Sequence, residues 1–518
     1  MMWSFGVPTI NCKNMDLPFL AAGITCFLLF RTRCSPSKAK ANIECYSVEE
    51  MEDGLSQLPD DVLCLIISHL PTQDAVKTSI LSRRWRNLYK FTTRVRIHCC
   101  DMLGVRFIYC DNRKFRMLQQ KFLEGVNTFL QLHSGCKITS FDLMCCSSRF
   151  FLASFCKLFR YFGEVGLEQL ILSYSCAPVS PLSSNKGPTF PCHQLLSTTP
   201  SLKYLQLRGF LVQNSRFENS CNFLNTLSLC CVTLGPGAVE CILSNCLSLK
   251  SLTMLQCMLP PKLCIHGSNL LLEFLMVEVC YNLEEINLHA MNLITFEYLD
   301  VKMSKIVFNH VPLLQNLSIS FYGDNAIPYV FGQLTKDLHQ LKRLSFSTSP
   351  KYYQGLDEIP SVINTLNNLM ELVLHVPWDL EFDLQKISLF LDACPGLQKF
   401  YLVTKGAAFD GQRVAKPSGV HHSQLKEVEF CRFTGTKNEV DFALYILETA
   451  VGLERMYISI NPVHWTEAVP LWDEERQNVI CKQFQEHALS KNVVVIMQVS
   501  HSPVLRAPRE RWRPVSTM

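Results

Sequence analysis

One hexad, L-x-x-L-x-L with conservative apolar swaps, recurs along most of this chain and constrains its fold more than any other feature. It starts at Ile138, Leu167, Leu202, Leu224, Leu249, Leu272, Leu283, Phe296, Leu314, Leu341, Leu369, Leu397, Leu425 and Leu453. The last five starts are 28 residues apart each time; earlier spacings run from about 22 to 35, and Leu283 falls irregularly between two others. Isolated matches arise by chance in any leucine-rich helical protein, but four successive equal spacings do not. Each hexad reads as a short strand whose apolar residues point one way, followed by a return segment. A 28-residue period leaves room for a return helix, as at 384–393 (LQKISLFLDA) and 439–449 (EVDFALYILET).

Self-similarity at this period is the signature of a leucine-rich-repeat solenoid, here of α/β class: a curved parallel sheet with return helices. The 518 residues exceed one compact core, which suits an elongated array. A composition 48% hydrophobic and 18% charged excludes wholesale disorder. The formal net charge of +4 is small for this length and gives no reason to expect a nucleic-acid partner.

The 25 cysteines raise disulfides and metal as alternatives. No C-x-x-C pair is present, so the half-site of zinc ribbons and redox motifs is missing, and no metal or other cofactor is expected. The doublets Cys99-Cys100, Cys145-Cys146 and Cys230-Cys231 put neighbours on opposite strand faces, which suits packing better than chelation. Reduced, mostly buried thiols are expected.

Ahead of the repeats, residues 55–91 read as three short helices. Ser56-Gln57-Leu58-Pro59-Asp60-Asp61 marks a helix start, with Pro59 in the first turn and two aspartates at the positive end of the dipole. Val62, Leu63, Ile66, Ile67 and Leu70 form one apolar stripe, and Pro71 stops the helix. Thr72 is expected to cap the next helix, which turns Ala75, Val76, Ser79 and Ile80 inward. The third segment, Ser82 to Tyr89, carries Trp85 as a core residue and Arg83, Arg84 and Arg86 on a solvated face. So small a unit buries little of its own surface, and docking on a partner is expected.

At the N-terminus, Leu17 to Phe30 is an apolar run of fourteen residues. As a helix it spans roughly 21 Å, short of the ~30 Å hydrocarbon core. Lys13 precedes it weakly and Arg31 and Arg33 follow, so neither a signal peptide nor a membrane anchor is expected. No catalytic motif is present: Gly406 to Gly411 starts like a phosphate loop but is followed by Gln412-Arg413, and His421-His422 is a pair without carboxylate or cysteine at ligand spacing.

The 55–91 block closely resembles the plant F-box, through Leu58-Pro59, Leu63, Ile66, Leu70-Pro71, Ala75-Val76, Thr78-Ser79, Leu81-Ser82 and Arg83-Arg84-Trp85. Residues 424–461 resemble the FBD region of plant F-box/FBD/LRR-repeat proteins, through LKEVEF, FTGT and LERM. The resemblance divides the chain into a leader and linker (1–50), an F-box (51–98), leucine-rich repeats (99–410), FBD-like repeats (411–495) and a tail (496–518). It implies a non-catalytic, substrate-choosing subunit of an SCF-type cullin-RING ubiquitin ligase. A Skp-type adaptor would be its direct partner, with cullin and RING subunits beyond it and an unidentified protein substrate on the repeats. Adaptor contacts are expected from Leu58, Pro59, Leu63, Ile66, Leu70, Pro71, Val76, Ser79, Leu81 and Trp85. Of these, Leu58, Ile66, Leu70, Val76 and Leu81 would supply on the order of 10 kcal/mol before association costs.

For the substrate, residues flanking the second and third apolar positions alternate onto the outer, concave face of the sheet. They are Tyr204, Gln206, Arg208, Phe274, Glu278, Arg343, Glu371, His375, Tyr401, Glu429, Arg455 and Tyr457. The L-x-G-x-I-P extension of extracellular plant repeats is missing, and the sole N-x-S/T sequon, at Asn316, lies inside an expected strand. A cytoplasmic or nuclear location follows. The rival readings are a membrane-anchored or secreted repeat protein and an F-box protein acting outside a ligase.

Overall fold

Alternate residues of a strand face opposite ways, so each hexad turns its second and third apolar residues to one side. Successive repeats bury that side only by stacking in register. The computed structural model of this protein has that arrangement. It describes residues 55, 57–103, 112–133, 137–145, 150–174, 187–214, 223–267, 269–300, 304–321, 326–348, 363–375, 383–404, 420–460, 474–488 and 493–499. The apolar run 17–30, the linker before the helices, the Gly406 loop and the tail beyond 499 lie outside these residues. The chain divides at Leu211/Val212 into two compact units.

In the first unit, helices α1 (Asp60–Ile67) and α2 (Thr72–Lys77) and two 3-10 turns, Thr78–Ile80 and Trp85–Phe91, precede a parallel sheet. Its strands are β1 (Arg94–His98), β2 (Ser140–Met144), β3 (Gln169–Ser173) and β4 (Tyr204–Arg208), paired in that order. Helices α3 (Asn112–Leu132), α4 (Phe150–Glu164) and α5 (Cys192–Thr198) fill the connections. The sheet thus begins at Arg94, inside the segment assigned above to the F-box. In β1, Thr92 takes the place of the first leucine, ahead of the buried Val95 and Ile97, and that swap hid the strand from the hexad search.

The boundary strand β5 (Leu211–Val212) leads to the second unit, which opens with β6 (Thr226–Cys230), β7 (Thr233–Leu234) and helix α6 (Ala238–Asn245). Then come β8 (Ser251–Leu255), β9 (Lys262–His266), β10 (Phe274–Glu278), β11 (Glu285–His289), β12 (Thr295–Asp300), β13 (Lys305–His310) and β14 (Asn316–Phe321). After them lie β15 (Arg343–Thr348), β16 (Glu371–His375), α7 (Ser388–Asp392), β17 (Lys399–Val403), β18 (Glu427–Phe433), α8 (Lys437–Thr449), β19 (Arg455–Ile460), α9 (Glu474–His487) and β20 (Val494–Val499). The main parallel sheet runs β6-β8-β10-β12-β14 and then β15 through β20 in order, while β9, β11 and β13 form a second, three-stranded parallel sheet.

That second sheet explains the irregular match at Leu283: it is the hexad of β11, not of the main sheet. The match at Phe296 is three residues out of frame. The residues turned inward are Leu293, Phe296 and Tyr298, all buried, while Leu299 is half-exposed, so the true hexad starts at Leu293. The valine-rich β20 was missed because it carries no leucine. With the frame corrected, the leucines that open each hexad from Leu249 to Leu453 stack as a continuous buried ladder.

Two local devices recur. The residue after β4, β6, β8 and β10 is left-handed in each case: Gly209, Cys231, Gln256 and Val279. This turns the chain out of the strand at the same place in successive repeats. The cysteines that follow in two of them point inward and stitch repeats together: the Cys257 thiol donates to the Leu229 carbonyl at 3.3 Å, and Cys280 to Met254 at 3.5 Å. Burial pushes the Cys257 thiol well above its ordinary range. The described cysteines form no disulfide with one another, and most are buried.

Candidate functional site

The helical unit at the start is closed around its own core. Leu63, Ile66, Ile67, Leu70, Ala75, Trp85 and Leu88 are buried together, with Leu55, Leu58, Cys64, Leu81 and Tyr89 packed at the edge. Four expected adaptor contacts, Leu63, Ile66, Leu70 and Trp85, therefore hold the unit itself together, and Ile66 and Leu70 have no apolar surface left to bury on a partner. The second helix also sits differently from the expectation. Ala75 and Thr78 face inward, Ser79 is half-exposed, and Val76 and Ile80 point to solvent. Thr72 does not cap its own helix; its hydroxyl accepts from the Arg96 amide at 3.0 Å and ties α2 to β1.

What remains outside on both helices is also apolar in part. Ile80 is 68% exposed, Leu65 44%, Val76 40% and Val62 37%. Pro59 is exposed as well, and Leu58, Pro71 and Leu81 are half-buried. Periodicity alone did not separate these residues from the core because α1 is apolar on both faces. Past the two aspartates of its first turn this short helix is apolar all round, so it has two surfaces to cover, and that was the signal available in the sequence. Arg84 is not simply solvated: its Nε donates to Asp60 Oδ1 at 2.7 Å and its Nη2 to the Leu58 carbonyl, clamping the third segment to the start of α1.

On the outer face of the main sheet, parallel register puts equivalent residues of neighbouring strands side by side. Arg343, Glu371, Lys399, Glu427 and Arg455 occupy one such row with alternating charge. Arg343 pairs with Glu371 at 3.0 Å and Arg455 with Glu427 at 3.3 Å, so both arginines expected for substrate are engaged by their neighbours. Three further candidates are buried rather than presented. Glu278 is enclosed, Tyr401 donates to Glu427 at 2.8 Å, and Glu429 accepts from Ser459 at 2.8 Å. Burial and the facing carboxylates push the Tyr401 hydroxyl far above its usual range. Phe274, His375 and Tyr457 stay half-exposed, as do Tyr204, Gln206 and Arg208 on β4 of the first unit. The Tyr204 hydroxyl donates to Gln206 at 2.9 Å, and the Arg208 Nε is enclosed with no hydrogen-bond acceptor among the described residues.

Comparison with known proteins bears on both surfaces. The family described as "At1g61320/AtMIF1, LRR domain" matches residues 129–501, and the F-box domain matches residues 55–88. The chain belongs to the F-box/leucine-rich-repeat family. Among Arabidopsis thaliana relatives, F-box/FBD/LRR-repeat protein At1g78750 is 23% identical over 79% of this chain and 90% of its own length. Putative F-box/LRR-repeat protein At3g58880 is 25% identical over 86% and 98%. F-box/FBD/LRR-repeat protein At5g53840 reaches 42%, over 16% of this chain and 15% of its own. The names of two of these relatives support the FBD resemblance read at residues 424–461.

In this F-box/leucine-rich-repeat chain, the FTGT element of that region has a physical role. Thr436 caps α8, and Glu439 answers from inside the helix. The Glu439 carboxylate is fully buried, and it accepts from the Thr434 amide and hydroxyl, the Thr436 amide and the Thr404 hydroxyl at 2.5–3.1 Å. Gly435 supplies the left-handed turn between the two threonines. A feature that sequence reasoning did not find is a groove of about 390 Å³ along the turns that precede β14 to β17. Amide side chains of Gln315, Gln340, Asn367, Asn368 and Gln398 line it, with Lys342. At Gly396 neighbouring turns come close together, since a Cβ there would lie 2.6 Å from the Asn367 carbonyl. Among the described residues no helix is long and apolar enough to cross a membrane.

Proposed function

We propose that this chain is the substrate-choosing subunit of an SCF-type cullin-RING ubiquitin ligase, acting by binding and not by catalysis. The observation that carries the reading is the exposure of four apolar side chains, Val62, Leu65, Val76 and Ile80, on a unit whose core is already closed. The F-box domain generally binds Skp-type adaptors, and these residues, together with Pro59, Leu58, Pro71, Ser79 and Leu81, are the adaptor contacts. Leu63, Ile66, Leu70 and Trp85 support them from behind. Each unit offers half-exposed residues as substrate contacts, Tyr204, Gln206 and Arg208 in the first and Phe274, His375 and Tyr457 in the second, with the aromatic and arginine character that anchors interfaces. The cytoplasm or nucleus, where cullin-RING ligases work, is the compartment this reading requires. The division into F-box (51–98), repeats (99–410) and FBD-like end (411–495) belongs to the same reading.

The test is capture of a purified Skp-type adaptor by wild-type chain and by a Leu65→Ala, Val76→Ala, Ile80→Ala variant. Covering the exposed part of each side chain contributes roughly 1 kcal/mol at about 25 cal/mol per Å². The variant should therefore bind about a hundredfold more weakly with its circular dichroism unchanged. Folded wild type that captures no adaptor would remove the ligase assignment.

A further inference from the structure

We infer that the three-stranded sheet of the second unit carries a binding site for a divalent transition-metal ion, made by His266, His289 and His310. The three residues end β9, β11 and β13, and parallel register places His289 opposite His266 on one side and His310 on the other. The alignment on the second side depends on an irregularity. Between Leu288 and His289 the register shifts, so that Asn309 is passed over and His310 takes the position that regular pairing would give to Asn309. The Ala290 amide, donating to the His310 carbonyl at 3.0 Å, holds that end of the ladder.

Composition does not produce this row. Histidine accounts for 14 of 518 residues, and here it fills three adjacent register positions of one sheet. All three side chains are exposed, and the rings of His289 and His310 already lie 5.5 Å apart, centre to centre. Neighbouring strands are about 4.8 Å apart, and an imidazole nitrogen ligates zinc at about 2.0–2.1 Å. Two imidazoles on adjacent strands thus need only to lean together to share an ion, and His289, in the middle, is common to both pairs. Among the described residues no three His, Cys, Asp or Glu side chains are gathered as a metal cluster. The rings must therefore rotate into place, which exposed side chains do on the picosecond-to-nanosecond scale.

The surroundings permit a cation. The lysines of the same sheet, Lys262 and Lys305, stand at the opposite ends of their strands, and both pair with Glu285, at 3.1 and 3.5 Å. Neutral imidazole suits zinc, copper and nickel, and cobalt serves as the spectroscopic substitute. Nothing in the adaptor reading requires this site, so the two stand or fall separately.

The experiment is titration of the full chain with Co2+, followed by visible absorption, for wild type and for His266→Gln, His289→Gln and His310→Gln. Wild type should take up one Co2+ with a nitrogen-ligand spectrum that His289→Gln loses. His266→Gln and His310→Gln should each weaken binding by roughly tenfold or more, since loss of even an outer partner costs that much. Exposed substitutions of this kind leave the circular dichroism unchanged, which checks the fold of each variant. Isotherms that are the same for wild type and His289→Gln would overturn the site. So would a thiolate charge-transfer band that survives His289→Gln, because the ion would then sit on cysteine.

Discussion

The repeats from β8 to β14 and those from β15 to β19 share one sheet and one hexad, yet they are backed by different structures. Strands in the first group start 21 to 23 residues apart, and each return segment is a strand of the second sheet. In the second group the starts are 28 apart, and the described return segments are helical: α7 with the 3-10 turn before it, and α8. The cause is length. A strand covers its return path at about 3.3 Å per residue and a helix at about 1.5 Å. Five to seven extra residues therefore turn a strand into a helix. The backing then decides which polar devices are needed. Strands satisfy one another and leave side-chain rows, Lys262–Glu285–Lys305 and the histidines. Helices leave unsatisfied amides at their starts, and the second group answers with caps: Asp383 accepts from the Gln385 amide at 3.0 Å, and Thr436 and Glu439 form the reciprocal cap of α8.

The largest effect that sharpens this contrast is in the aromatic packing under the helices. Phe442 of α8 is fully buried, with ring centres of Phe430, Phe400 and Tyr445 at 6.1, 6.4 and 5.9 Å. Phe442→Ala should cost about 4 kcal/mol, measured as a shift in the urea midpoint, against about 3 kcal/mol for Leu288→Ala under the strand backing. Equal costs would mean that the two backings pack alike. Next in size is the buried carboxylate. Glu439→Gln replaces an acceptor-only group with an amide whose N–H2 faces donors, and should cost roughly 3 kcal/mol. Glu285→Gln, on the exposed row of the strand-backed group, should leave the midpoint where it is.

How much of this was legible beforehand follows the same division. The 28-residue group could be read directly, because equal spacing and unbroken leucines show in the sequence and both return helices carry helical periodicity. The 21- to 23-residue group misled at two points, Leu283 and Phe296. Both sheets there use the same alternating pattern, and a pattern of period two does not say which sheet a strand joins. In the F-box the family resemblance was legible, but the division between core and surface was not. Val62, Leu65, Val76 and Ile80 are as apolar as Leu63 and Ile66, and only packing distinguishes them. By alternation Tyr204, Phe274 and Tyr457 belong outward, and each is half-exposed. Alternation could not show that Arg343 and Arg455 are engaged by carboxylates one strand away, 28 residues off in sequence.

A pH effect distinguishes the groups in another way. His422 is buried in the helix-backed group, near Tyr445 at 3.4 Å and Asp392 at 3.7 Å. Burial lowers its pKa, Asp392 opposes that, and His421 adds to it; the net direction is down from 6.5. A histidine whose folded pKa lies below its unfolded one contributes its full stability above the unfolded value. It loses that contribution as pH falls from 6.5 through the folded pKa, because the unfolded chain takes up the proton first. The urea midpoint of wild type should therefore fall between pH 7 and pH 5 more steeply than that of His422→Gln. Parallel curves would show that His422 is not the group responsible.

The smallest effect has the opposite sign and lies in the strand-backed group. Of the left-handed residues that follow β4, β6, β8 and β10, Val279 alone is β-branched, at φ +49°. Such a side chain in that region costs roughly 1–2 kcal/mol, which the stack must supply through contacts such as the Val279 amide donating to the Leu299 carbonyl at 2.6 Å. Val279→Asn keeps that backbone bond and substitutes a residue that tolerates the left-handed region. It should raise stability by about 1 kcal/mol, while Gln256→Asn, one repeat earlier and unbranched, should change it less. A loss on Val279→Asn would mean that the half-buried valine contributes more by packing than it costs in strain. The strand-backed repeats would then depend on side-chain contacts at their turns, as the helix-backed ones depend on their caps.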